Sequence, residues 1–114
     1  MKKRVSTGHL RTPPLAVAKN AEMGLQLRRE FGRGGTDVGI RRAQQLSKSA
    51  ELQAVEIKKI ASYFAHHEVD KQAKAHVWGD VSNPSAGFIA WQLWGGDEGP
   101  DWAENAVVEL GNDP

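Results

Sequence analysis

Within six residues the string His66-His67-Glu68-Val69-Asp70-Lys71 gathers two imidazoles, two carboxylates and an ammonium, and His76 follows it. Imidazole nitrogens and carboxylate oxygens are ordinary metal ligands and general acid–base groups. A small hydrolase or nuclease using His67, Glu68 and Asp70 with a divalent cation is therefore one reading of the chain. The spacing speaks against it. Adjacent residues on a helix point about 100° apart, so His66 and His67 cannot grip one ion together. The His-Glu-x-x-His pattern of metallopeptidases is missing, and the spacings fit no recurring zinc pattern, so neither metal nor other cofactor is called for.

On a helical wheel His67 lies beside Ile60, and Glu68 lies between Ile57 and Ala61, both at the border of an apolar stripe. A carboxylate in that position needs donors. Arg28, also inside an apolar arc, and the indoles of Trp78, Trp91 and Trp94 are the candidates. A structural network of Arg28, His67, Glu68 and these tryptophans is preferred over catalysis, because buried ion pairs usually have structural explanations. Glu68→Ala is then expected to lower the melting temperature.

The second chemical feature is charge. Residues 1–48 hold eleven Lys/Arg against three acids, and residues 49–114 hold four Lys against eleven acids, although the net charge is only +1. Such a split suits an anionic partner on one surface. Lys2, Lys3, Arg4 and Arg11 lie on a basic segment. Arg28, Arg29, Arg33, Arg41 and Arg42 surround the glycine-rich turn that follows. Phosphate contacts need Lys/Arg and little else. Lys2, Lys3, Arg4, Arg11, Arg29, Arg33, Arg41 and Arg42 are accordingly the expected binding residues for nucleic acid or for a viral or host protein. The helices expected over Val38 to Leu46 and Ala50 to Glu68, with Lys58 and Lys59 exposed, are a candidate helix-turn-helix-like pair, which Glu51 and Glu56 oppose.

The elements that must position these groups are helical. Residues 1–13 lack apolar periodicity and read as a flexible basic arm; residues 14–111 read as one helical domain. Leu15 to Phe31 has helical periodicity and stops at Gly32. "GRGGTDVG" is a tight connector, resembling a phosphate loop only superficially, with Thr36 as N-cap. A second helix covers Val38 to Leu46, with Gly39, Ala43 and Leu46 inward and Arg41 outward. A third covers Ala50 to Glu68 on the stripe Ile57, Ile60, Ala61 and Phe64. A loop anchored by Trp78 follows, and Asn83-Pro84 signals the next helix start.

The helix expected from Pro84 to Trp94 is apolar almost all round, which marks a buried helix and not a binding stripe. A fifth helix begins near Pro100 and stops at Gly111. The expected fold is all-α, a compact bundle of about five short helices around a buried Trp-rich central helix. The absence of cysteine excludes disulfides and thiolate chemistry. No run approaches the roughly 20 apolar residues of a membrane helix, so no membrane partner is expected. The basic start has no apolar region behind it to make a signal peptide.

Three strings, "GLQLRREFGRGGTDVGIRRAQQL", "ASYFAHHEVDK" and "NPSAGFIAWQLWGGDEGPDWA", together resemble a small domain encoded by many tailed bacteriophages. The shared motifs are the Gly-Gly-Thr turn at 34–36, His67 to Lys71, and Ser85-Ala86-Gly87 leading to Trp94-Gly95-Gly96-Asp97. That family occurs free-standing or attached to virion and head-morphogenesis proteins and has no assigned activity. The stretch "KQAKAHVWGDVSN" is longer than the compact Gly-Trp-Gly loop of the family. The resemblance implies a phage accessory protein, more binding module than enzyme, in the host cytoplasm during infection or in the virion. A virion structural protein is the alternative it leaves open.

Overall fold

In a computed structural model, residues 10–72 and 76–111 are described. Five α-helices have both ends among the described residues: α1 (Leu15–Phe31), α2 (Asp37–Ser47), α3 (Ala54–His67), α4 (Ala86–Leu93) and α5 (Gly99–Gly111). Short 3-10 turns extend α3 over Glu68–Gln72 and join α4 to α5 over Gly96–Glu98. Among the described residues there is no strand, and no helix is long and apolar enough to cross a membrane.

Each helix forms where its periodicity and caps agree. α1 buries Val17, Ala18, Ala21, Gly24 and Leu27 and ends at Gly32, whose left-handed backbone (φ 65°) no β-branched residue would accept comfortably. α2 opens with the Thr36 hydroxyl accepting from Gly39 N at 3.2 Å. α3 begins later than its sequence signal, because Gln53 takes the N-cap and its N–H donates to Glu56 Oε1 at 2.8 Å. α4 is also capped later than Asn83-Pro84 suggests. Ser85 Oγ accepts from Phe88 N at 2.9 Å, Pro84 is buried, and Asn83 is engaged elsewhere.

The packing centres on α4, as its all-round apolarity requires. α1 lies along α2 on one side and α4 on another, while α3 packs chiefly on α5. Phe88, Ile89, Trp91, Leu93 and Trp94 join Val17, Leu46, Ile57, Ile60, Phe64 and Ala103 in one core. Trp91 is 1% exposed and Trp94 9%, so the indoles of α4 are interior. α1 and α4 approach almost backbone to backbone: a Cβ on Gly24 would sit 2.6 Å from Leu93 N and 2.9 Å from Gln92 C. Gly34, at φ 92°, lets the connector press against α4, where a Cβ would meet Ile89 at 2.7 Å. The glycine-rich string is thus a tight packed turn.

The segment expected as a free arm is only partly described. Lys2, Lys3 and Arg4 lie outside the described residues. Residues 10–13 are docked and not free: Arg11 O accepts from Leu52 N at 2.9 Å, Leu10 O accepts from Trp102 Nε1 at 3.2 Å, and Pro13 is buried.

Candidate anion-binding depression between α2 and α3

Sequence order put Arg41 and Arg42 side by side, and the fold separates them. Residues 39, 42, 43 and 46 make an i, i+3, i+4, i+7 series, and all four are buried in α2. Arg42 therefore turns inward and is 8% exposed, whereas Arg41 stays in solvent. Arg42 Nη1 donates to Gln45 Oε1 at 2.9 Å and to Glu56 Oε2 at 3.1 Å, and its guanidinium carbon lies 5.5 Å from the Trp94 ring centroid. Glu56 also accepts from Gln45 Nε2 at 3.2 Å. The Gln53 N–H, then Gln45 and Arg42, hold its carboxyl below the usual glutamate range against the opposing effect of burial.

α2 and α3 are hardly packed on one another, unlike the crossed helices of a helix-turn-helix pair; Arg42 and Gln45 reach across to Glu56 instead. Between them opens a depression of about 580 Å³. Four cations line it, Arg41, Arg42 and Lys48 from the α2 side and Lys59 from α3, against the single carboxylate of Glu56. That carboxylate is already taken by Arg42 and Gln45, so the depression keeps a surplus of positive charge. Gln44 and Gln45 add amides, and no aromatic ring lines it. Lys48 is not among the binding residues expected from sequence, and Lys59 enters there only as an exposed residue of the helix-turn-helix-like pair; what joins them is the mouth the two helices share.

The remaining candidates are structural or solvent-facing. Arg33 is not a free binding residue: Nε and Nη2 donate to Pro84 O at 3.0 and 2.8 Å, and Nη2 to Asn83 Oδ1 at 3.1 Å, tying the connector to the start of α4. Arg11 pairs with Glu51 at 2.6 Å. Arg29 is exposed, and Arg28 is half-buried with no hydrogen-bond partner at Nε.

The expected network around Glu68 does not form. Glu68 keeps helical dihedrals at the C-cap of α3 (φ −56°, ψ −34°) and stands at the border of the stripe, but solvent reaches it there. Its side chain is 61% exposed and meets Lys71 at 2.8 Å. Arg28 takes no part. His67 does join a cluster: Nδ1 lies 3.0 Å from Asp70 Oδ2, and the ring stacks on Tyr63 at 4.3 Å. Tyr63 stacks in turn on Trp94 at 4.6 Å, so Arg42, Trp94, Tyr63 and His67 form one continuous column. Burial first, and the Asp70 charge second, push the Tyr63 hydroxyl well above its usual range.

The indoles find other partners. Trp91 Nε1 donates to Asp97 Oδ1 at 2.9 Å, Lys71 Nζ sits 4.4 Å over the Trp91 ring, and Trp78 packs edge-on against Phe88 and Trp91. Asp80 accepts from Ser82 N at 2.9 Å and Ser82 Oγ at 2.6 Å, bonds that close a surface turn and lower its pKa. His67, Glu68 and Asp70 are thus spent on neighbours and lie outside the depression. Among the described residues no three His, Asp or Glu side chains converge on a metal position.

Compared with known proteins, the chain matches no family model, no curated protein and no solved structure.

Proposed function

We propose that the protein is a non-enzymatic binding module that holds nucleic acid on the basic face shared by α2 and α3, serving a tailed bacteriophage in the infected host or in the virion. The observation that carries this reading is the depression whose four cations outnumber one already neutralised carboxylate. Lys/Arg on a concave surface attract phosphates without any further motif. Arg41, Lys48 and Lys59 are exposed and have no ion-pair partner among the described residues, so no salt bridge has to be broken first. The phage setting is supported by the three shared strings of sequence. The hydrolase alternative gains nothing from the geometry, since Glu68 does not join the His67–Asp70 pair and none of the three borders the depression.

The test is binding to labelled DNA and RNA across a salt series. Affinity is expected to fall steeply with salt, and Arg41→Glu combined with Lys59→Glu is expected to abolish binding while leaving the melt unchanged. Binding that ignores salt, or none to any DNA or RNA, would remove nucleic acid as the partner and point to a protein instead.

A further inference from the structure

The geometry points to the depression as a seat for a terminal phosphate, the monoester end of a nucleotide or of a nucleic-acid strand, held between Lys48, Lys59 and Arg42. This deepens the nucleic-acid reading and rests on it. Three observations carry it. The first is shape: the hollow is wide-mouthed, and its volume of about 580 Å³ is within the range of small-ligand clefts, roughly 300–1,000 Å³. The second is composition. No aromatic ring lines the depression, so it offers no platform on which a base could stack, while cations enter from both walls. What it can hold is the charged end.

The third is Arg42. A guanidinium has donors on all three nitrogens, and both of its hydrogen bonds here leave from Nη1. Nε is buried without a partner and out of a ligand's reach, whereas Nη2, which no described residue bonds, keeps contact with the surface. An arginine nine-tenths buried, with one donor nitrogen to spare at the surface, is suited to an oxyanion. A carboxylate would bring one charge to a site with a surplus of several. A phosphate monoester brings close to two and three acceptor oxygens.

The monoester also titrates, with a second pKa of about 6. The other charged groups facing the depression are Arg41, Arg42, Lys48, Lys59 and Glu56, and no histidine is among them. A loss of affinity from pH 7.5 to 5.5 is therefore expected to follow the monoester's own protonation.

The decisive experiment compares two otherwise identical single-stranded DNA 12-mers, one with a 5′-phosphate and one with a 5′-hydroxyl, by fluorescence anisotropy at fixed salt. At least tenfold tighter binding of the phosphorylated strand is expected at pH 7.5, shrinking towards pH 5.5. The preference should vanish in Lys48→Gln/Lys59→Gln, whose exposed side chains leave the melting temperature as it was. Competition by adenosine monophosphate would support the seat and identify free nucleotide as a source; competition only by a phosphorylated strand would support it with the strand end as source. Equal, salt-dependent binding of both strands would overturn the seat while leaving nucleic-acid binding in place. Failure of both strands to bind would overturn both.

Discussion

Arg41 and Arg42 are the same residue one position apart, and only the second is part of the fold's interior. The i+3 relation to Gly39 was readable in the sequence, since it completes the buried series with Ala43 and Leu46. What sequence could not show was Glu56, fourteen residues on, which makes burying a cation tolerable. Arg42→Ala is expected to cost about 2–4 kcal/mol in urea denaturation, because Glu56, though still bonded by Gln45 and Gln53, is then left part-buried without a counter-charge. Arg41→Ala should stay within about 0.5 kcal/mol. Glu56 also makes stability depend on pH. Its folded-state pKa lies below the ordinary value, so its contribution is full above the unfolded pKa, about 4.3, and is lost as pH falls through the folded value. Melting temperatures recorded from pH 6 down to 3 should therefore fall, and fall less in Glu56→Gln. Glu68 teaches the opposite lesson. The helical wheel sets Glu68 at the border of the apolar stripe, but its side chain is solvated, and Glu68→Ala is now expected to leave the melt nearly unchanged.

Helices were the most legible level. α4 carries eight residues with hardly a polar one, and a helix with no polar face has to be surrounded. Their ends were less legible, because caps compete. Asn83 is a good N-cap by type, yet Arg33 claims its side chain and Ser85 takes the role. Interhelical distance was not readable at all, although the glycine responsible stands in plain view. Gly24 lies in the middle of α1, where alanine is normally favoured by about 1 kcal/mol. Here the added methyl would meet the backbone at Gln92 and Leu93, which cannot move aside as a flexible side chain would. Gly24→Ala is expected to destabilise by about 1–3 kcal/mol in chemical denaturation, reversing the usual sign. An unchanged or raised midpoint would show that α1 and α4 are further apart than described.

At the scale of the molecule, the charge split seen along the chain becomes a split between parts of the fold. The stretch from Gly96 to Gly111, which contains all of α5, carries five acids and no Lys or Arg, while α2 and the facing wall of α3 hold the cationic depression. α2 packs on α1 and α5 on α3, so the two charged regions belong to different layers. The sequence made the imbalance plain but not the depression, which exists only because α3 starts late and stands off from α2. Such a molecule has a permanent electric dipole as well as a net charge. In the field of a strand of phosphates it would rotate before touching, cationic mouth first, and each encounter would begin already aligned. Added salt should then lengthen the search more than it shortens the stay. Stopped-flow traces are expected to show the association rate dropping severalfold between 50 and 200 mM salt, with dissociation changing much less.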